Sequence, residues 1–292
     1  MSPGWAGRTL AALFVAGIGG LPVIPAMTGC LASADAQEVA APPPPPPNEP
    51  GTAGHAPGAG FFIDLRTGFD PKTQYISDFD IEAETVLVVL RKENVTFDAD
   101  GMTLTARRSS EEQGKPYTMG EFQKKGFYGF GRYEAVIRVP AAEGVVSAFF
   151  THTSRQFGDP HTEIDFEFVG RKPREAHLNY FVDGKNVPVN VDLWFDASQA
   201  EHLYAFEWTP DSIVWYVDGR KVRTVKRKNS PIGIPTNSSR VIASVLAGAR
   251  ATEEWVGTPD FESASALFSC ISHVPIGQTG KQCSDTFTPP AP

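Results

Sequence analysis

The 292-residue sequence is poor in cysteine, poor in positive charge and, beyond its first residues, free of long apolar runs. With 26 Lys+Arg against 34 Asp+Glu, the formal net charge is −8. That balance argues against a nucleic-acid partner, because phosphate backbones are bound by cationic surfaces. The lack of further membrane-length apolar runs excludes a polytopic membrane protein. Helical periodicity between the apolar segments is also missing, which excludes a chain of βαβ units, and there is no internal repeat. What is present points to a globular β protein. Hydrophobic residues at 41% are enough to build a core, so global disorder is excluded. Phe 20, Gly 27 and Pro 25 suit short strands joined by many turns.

The N-terminus reads as a targeting segment over residues 1–36. Arg8 provides the positive start, Leu10 to Ile18 the apolar stretch, and Ala34-Asp35-Ala36 a small-x-small cleavage site. Met27-Thr28-Gly29-Cys30 offers a second processing route, resembling a lipobox with Cys30 as the acylated anchor. The chain is therefore expected to be secreted or periplasmic, or held at an outer membrane through Cys30. Residues 37–60, with the run Pro42 to Pro47, form an extended linker with nothing to bury. Residues 61–292 remain as one domain. Only Cys270 and Cys283 fall inside it, and two cysteines close in sequence in an oxidising compartment invite a disulfide; two free thiols are the alternative. Such a bond would add about 3 kcal/mol on the chain-entropy estimate.

From Ala83 onward the apolar pattern has period 2. It predicts strands over 84–90, 101–107, 130–139, 144–152, 162–169, 175–182, 203–208, 212–217, 221–226 and 240–247, separated by turn pairs such as Asp183-Gly184 and Asp218-Gly219. About ten antiparallel strands without intervening helices make an all-β, two-sheet sandwich.

The chemistry concentrates in His161-Thr162-Glu163-Ile164-Asp165-Phe166-Glu167-Phe168. In a strand, alternate side chains point to opposite faces, so Ile164, Phe166 and Phe168 enter the core while Glu163, Asp165 and Glu167 line the other face. Three carboxylates in a row without an intervening cation repel one another, and at least one pKa must rise. A retaining glycosidase needs one ionised carboxylate as nucleophile and one protonated partner nearby. In a straight strand residues i and i+4 stand about 13 Å apart at Cα, so the outer glutamates must lean together. A solvated acidic face or a calcium-binding cluster are the other readings of this pattern alone.

Glu163-Ile164-Asp165-Phe166-Glu167-Phe168 resembles the signature E-[IL]-D-x-E-[FY] of glycoside hydrolase family 16 in its lichenase-like form. The resemblance runs over roughly residues 83–262. It includes Gly126 to Pro140, Val146 to Thr151, Leu178-Asn179-Tyr180-Phe181, Phe195-Asp196-Ala197-Ser198, His202 to Trp208 and Trp215 to Gly219. It implies a concanavalin A-like jelly roll with an open concave cleft for a polysaccharide. It also implies Glu163 as nucleophile, Asp165 as its assistant and Glu167 as acid/base. Glu121, Phe150, Asn179 and Trp255 match sugar-contacting positions. Phe150 as a core aromatic and Glu121 as a surface charge remain open alternatives.

Several positions depart from the family pattern. His152 and His161 replace a Tyr and a Trp beside the carboxylates, His177 stands for a Gln and Gln123 for an Arg. Ala247 falls where a cleft Trp is expected. Ser269 stands where the family places an Asp on a structural calcium, so no metal and no cofactor are expected. The three histidines are expected to bind substrate, with an acidic or substituted sugar as one reading and a plain hydrogen-bonding role as the other. The expectation is an exported, monomeric, retaining endo-glycoside hydrolase of the endo-β-1,3/1,4-glucanase type, acting on a β-linked glucan or related exopolysaccharide. A transglycosylase on the same scaffold and a non-catalytic carbohydrate-binding protein are the rivals.

Overall fold

The computed structural model describes residues 54–80, 88–109, 116–248 and 252–290. The expected targeting segment, Cys30, the proline run and the start of the strand expected over 84–90 lie outside the described residues. Nearly every regular element is a strand, and the pairings are antiparallel except for Val88–Leu90 beside Tyr117–Met119.

Two layers result. The front sheet runs Gln74–Ile76, Tyr117–Tyr128, Ser239–Ala247, Val145–Thr153, Thr162–Val169, Glu175–Val182 and Val189–Asp192 in spatial order. The back sheet runs Arg220–Lys226, Ser212–Val217, His202–Trp208, Gly131–Arg138, Ser263–Pro275 and Met102–Arg108. Phe122, Phe149, Ile164, Phe166 and Phe168 from the front meet Tyr133, Phe206, Trp215 and Phe268 from the back, all essentially sealed from solvent. The Trp215 indole N–H crosses this core to donate to the Asp165 carbonyl at 3.1 Å. It pins the middle of the carboxylate strand from behind.

The expected strands all appear, within a residue or two at their described ends. Asp183-Gly184 and Asp218-Gly219 make the two-residue hairpin loops that positive φ at both central positions allows (51° and 74°, 48° and 77°). Two long strands escape the period-2 reading. Tyr117–Tyr128 buries polar residues on its outer face and carries Gly120, where an added Cβ would meet the Asn94 carbonyl oxygen at 2.5 Å. Ser263–Pro275 is interrupted by a bulge between Phe268 and Cys270. Ala264, Ala266 and Phe268 point inward before the bulge and Ile271 after it, so the alternation changes phase mid-strand.

Cys270, on the outward phase of that strand, is bonded to Cys283 with Cα atoms 5.8 Å apart. The pair packs with Val136 and Leu203 against the outside of the back sheet. Residues 54–60, expected to belong to a linker that buries nothing, are docked on the domain. His55 stacks on Phe127 at 3.6 Å between ring centroids and hydrogen-bonds the Phe157 carbonyl at 2.8 Å, and the Gly58 N–H donates to the Phe127 carbonyl.

Candidate active site

The strand Thr162–Val169 sits between Val145–Thr153 and Glu175–Val182, and the register sets three rows across the outer face of the front sheet. Glu163 lies between His152 and Phe181, Asp165 between Phe150 and Asn179, and Glu167 between Ala148 and His177. Continuing outward, Arg240, Ile242 and Ser244 follow His152, Phe150 and Ala148, and then Gln123 and Glu121 face Ile242 and Ser244. The alternation expected for the hexapeptide therefore holds, and the partners that tune it come from other strands.

Glu163 is held by two imidazoles. His152 Nδ1 and His161 Nε2 approach the same oxygen, Glu163 Oε2, at 2.8 and 2.9 Å. An ionised carboxylate only accepts, so each ring presents an N–H. Burial by itself would raise the Glu163 pKa, but the hydrogen bonds from His152 and His161, with the His152 charge, outweigh it and bring it down to about 2. His152 is fully buried on Val145–Thr153. His161 comes from the loop before the carboxylate strand, its ring packed against Phe181. That loop is tied down at Asp159, which accepts from the Thr153 hydroxyl at 2.8 Å and the Asn237 amide at 3.1 Å.

The opposite end of the row lacks such donors. His177 Nε2 stops 3.8 Å from Glu167 Oε2, while its Nδ1 is engaged by Asn190 Oδ1 at 2.6 Å. Burial, and then the Glu163 charge, push the Glu167 pKa up to about 8. Neither oxygen of the buried Asp165 side chain meets a protein donor. Burial and the charges of Glu163 and Glu167 raise its pKa well above the ordinary range, which favours its protonated form beside Glu163. One strand face thus carries a carboxylate held ionised, a middle acid biased toward its neutral form, and a carboxylic acid that keeps its proton up to about pH 8.

The expected sugar-contacting residues fall around this row. Phe150 is not in the central core. It packs with Ala148 and Ile242 in a small apolar patch on the outer face, under Asp165. Asn179 is buried beside Asp165, its Oδ1 accepting from the Tyr180 backbone. Trp255, on the short helix Glu253–Val256, lies against His177 at 4.9 Å, at the Glu167 end. Glu121 is fully buried rather than a surface charge. Its Oε1 accepts from Ser77 at 2.6 Å and Gln123 at 2.8 Å, and burial raises its pKa. Ala247 requires a correction. It pairs with Val145, out of phase with the outer row, whereas Leu246 pairs with Val146 in line with Ser244 and Ile242. The outer-row position is Leu246, whose side chain is buried with Val146, Val169 and Val256.

Sequence reasoning missed Arg240 and Tyr75. Arg240 donates to the Gln123 side-chain Oε1 at 3.2 Å and lies over the Phe127 and Phe157 rings. Tyr75 pairs with Gln123 at the sheet edge. Neither stands in a motif; each reaches the site only through strand pairing. Ser269, the position of the family's calcium ligand, opens on a recess lined by Arg66 and Arg138 beside Asp100 and Glu201. Two guanidinium groups there do not suit a cation that asks for six or more oxygens.

Residues 82–262 match the profile of Glycosyl hydrolases family 16. The chain is 35% identical over 210 residues to a β-glucanase of Acetivibrio thermocellus, covering 70% of this chain and 60% of that relative. It therefore spans about 60% of the length of such curated relatives. Among solved structures, the Bacillus licheniformis β-glucanase superposes with a TM-score of 0.68 at 28% identity, covering 74% of this chain and 98% of that one. A prokaryotic β-1,3-1,4-glucanase (lichenase) from a mouse hindgut metagenome superposes with a TM-score of 0.70 at 27% identity, covering 75% and 100%.

Proposed function

The chain belongs to Glycosyl hydrolases family 16, and from that premise we propose that it is a retaining endo-glycoside hydrolase cleaving a β-linked glucan or related exopolysaccharide. The observation that carries the reading is the division of protons along one strand face: Glu163 ionised under two histidines, Glu167 protonated with a pKa of about 8. A double displacement needs that division before substrate arrives.

In the first half-reaction the Glu167 carboxylic acid gives its proton to the glycosidic oxygen as the C–O bond breaks. The Glu163 carboxylate attacks the anomeric carbon from the opposite side and forms a glycosyl ester. His152 and His161 converge on Oε2, which directs the attack to Oε1. The Asp165 proton, shared with Glu163, follows the changing charge of that carboxylate. In the second half-reaction Glu167, now ionised, takes a proton from water, and the water oxygen attacks the anomeric carbon and displaces Glu163. Two inversions restore the original configuration. The half-buried ring of Trp255, at the Glu167 end, offers a surface against which a pyranose ring packs.

The leader over residues 1–36 supports export, with Cys30 as the site of a lipid anchor if it is acylated; the Cys270–Cys283 bond suits the oxidising compartment that export implies. The substrate partner is a polysaccharide, and the enzyme acts as a monomer. The test is hydrolysis of a panel of β-glucans and acidic bacterial polysaccharides, with the anomer first released followed by NMR. Initial release of the retained anomer is expected. The inverted anomer overturns the reading, and lengthened oligomers in place of hydrolysis products assign the transglycosylase instead.

A further inference from the structure

We propose that His152, His161 and Glu163 together form a binding site for a divalent transition-metal cation of zinc-like ligand preference, and that occupancy of this site silences the nucleophile. The inference rests on the glycosidase reading only for its functional consequence; the binding itself stands on geometry. One ligand atom from each of the three side chains lies within 4.8 Å of the others. The two nitrogen-to-carboxylate spacings are 2.8 and 2.9 Å. A tetrahedral ion with bonds near 2.0–2.1 Å sets its ligands about 3.3 Å apart, so small side-chain shifts seat it.

The donor set also fits the ion class. Two imidazoles and one carboxylate suit zinc, nickel, copper or cobalt and are a poor match for calcium or magnesium, which favour oxygen throughout. The ligands are held before any ion arrives. His152 and Glu163 are direct partners across two paired strands, and the His161 loop is tied through Asp159 to Thr153 and Asn237. Three protein ligands leave the fourth tetrahedral position open to water. Binding replaces the two N–H···O bonds by nitrogen–metal and oxygen–metal bonds, and the displaced ring protons leave to the other ring nitrogens or to solvent. With Oε2 bound to the ion, the carboxylate charge is drawn toward the cation, and Oε1, the oxygen left to attack an anomeric carbon, loses its nucleophilic strength. The expectation of no metal followed from Ser269 at the family's calcium position, which says nothing of the histidines. The histidines that replace aromatic residues beside the nucleophile create this second possibility.

The experiment uses the purified chain stripped with EDTA and dialysed. Zn²⁺ is titrated by calorimetry, Co²⁺ by visible absorption, and glucan hydrolysis is assayed alongside. One ion per chain is expected, with the intense visible bands of four-coordinate Co²⁺ and no competition from Mg²⁺ or Ca²⁺. Hydrolysis should fall in proportion to occupancy and return with EDTA. His161→Gln keeps a hydrogen-bond donor but loses a ligand, and should weaken binding at least about tenfold. Glu163→Gln, which removes the charge, should weaken it as well. Absence of saturable binding to the wild type overturns the proposal. So does equal affinity in both variants with folds intact by circular dichroism, or full hydrolysis at saturation. Metal binding as expected in a protein that hydrolyses no glycan supports the site and overturns only the glycosidase reading on which silencing depends.

Discussion

The two ends of the carboxylate row are made of the same amino acid four positions apart, yet they sit in opposite protonation states. At one end, Glu163 receives two imidazole N–H groups on a single oxygen. At the other, the nearest imidazole, His177, is turned toward Asn190 and stays 3.8 Å from Glu167. Burial acts on both in the same direction. Donors from the neighbouring strand and loop decide the difference, outweighing desolvation at Glu163 and leaving it unopposed at Glu167. The lesson is that the strand supplies the carboxylates while its neighbours assign their roles.

The largest expected effect comes from removing the ionised end. Glu163→Ala should cost on the order of 10⁶ in kcat, the scale seen when a covalent nucleophile is lost. Azide should restore turnover by filling the vacated space and yielding a glycosyl azide of inverted configuration; full activity without azide breaks the assignment. Removing the protonated end should cost less and depend on the leaving group. Glu167→Ala is expected to lose about 10²–10⁴-fold on natural glucans and far less on activated aryl glycosides, whose leaving groups need no proton. A uniform loss on both substrates would show that Glu167 is not the acid.

The next test separates the two ends by pH. Glu167 must be protonated in the free enzyme, so kcat/KM should hold up to about pH 8 and fall tenfold per unit above it. Because the Glu163 charge is one cause of the raised Glu167 pKa, Glu163→Gln should lower that pKa, read by carbon NMR of the labelled carboxyl. Burial and the neighbouring carboxylates raise the Asp165 pKa well above the ordinary range, which favours its neutral form. Asp165→Asn should therefore leave the alkaline limb in place and lower turnover less than Glu167→Ala does. A limb that moved by a full unit would mean that Asp165 carries charge at neutral pH. The smallest effect concerns the substrate at the Glu167 end. Trp255→Ala should remove a stacking surface and weaken oligosaccharide binding by about 1 kcal/mol, measured by calorimetry; an unchanged Kd would remove that ring from the binding face.

Much of this site was legible before folding was considered. Alternation within Glu163 to Phe168 separates the acids from the core because both faces of that strand keep strict period 2. Asp183-Gly184 and Asp218-Gly219 marked their hairpins through the dihedrals they require. The division of protons was only half legible. Repulsion along the row predicts that some pKa must rise, but which one depends on His152 and His161, brought to Glu163 by strand pairing and a loop. The same limit hid Tyr117–Tyr128 and Ser263–Pro275. The first buries Glu121, Gln123 and Lys124 and so does not look apolar, and the second reverses phase at its bulge. Ala247 was misplaced by one residue, and with period 2 one residue moves a side chain to the other face. His55 looked like linker because nothing local to residues 54–60 announces the Phe127 ring that receives it.

The strand Tyr117–Tyr128 belongs to both layers. Its first residues pair with Arg107 and Arg108 in the back sheet, and the rest pair with Ser239–Ala247 in the front. The layers are stitched along this edge by continuous backbone, so they cannot part there like the covers of a book. Local opening of the front sheet must break ladder bonds in the back sheet as well. Amides on both sides of the sandwich are then expected to exchange hydrogen for deuterium as one cooperative unit, with lower protection confined to the connecting loops. Catalytic geometry built on such a frame persists between turnovers, and whatever breathing admits a polymer chain falls to the rim, where the short helix bearing Trp255 stands.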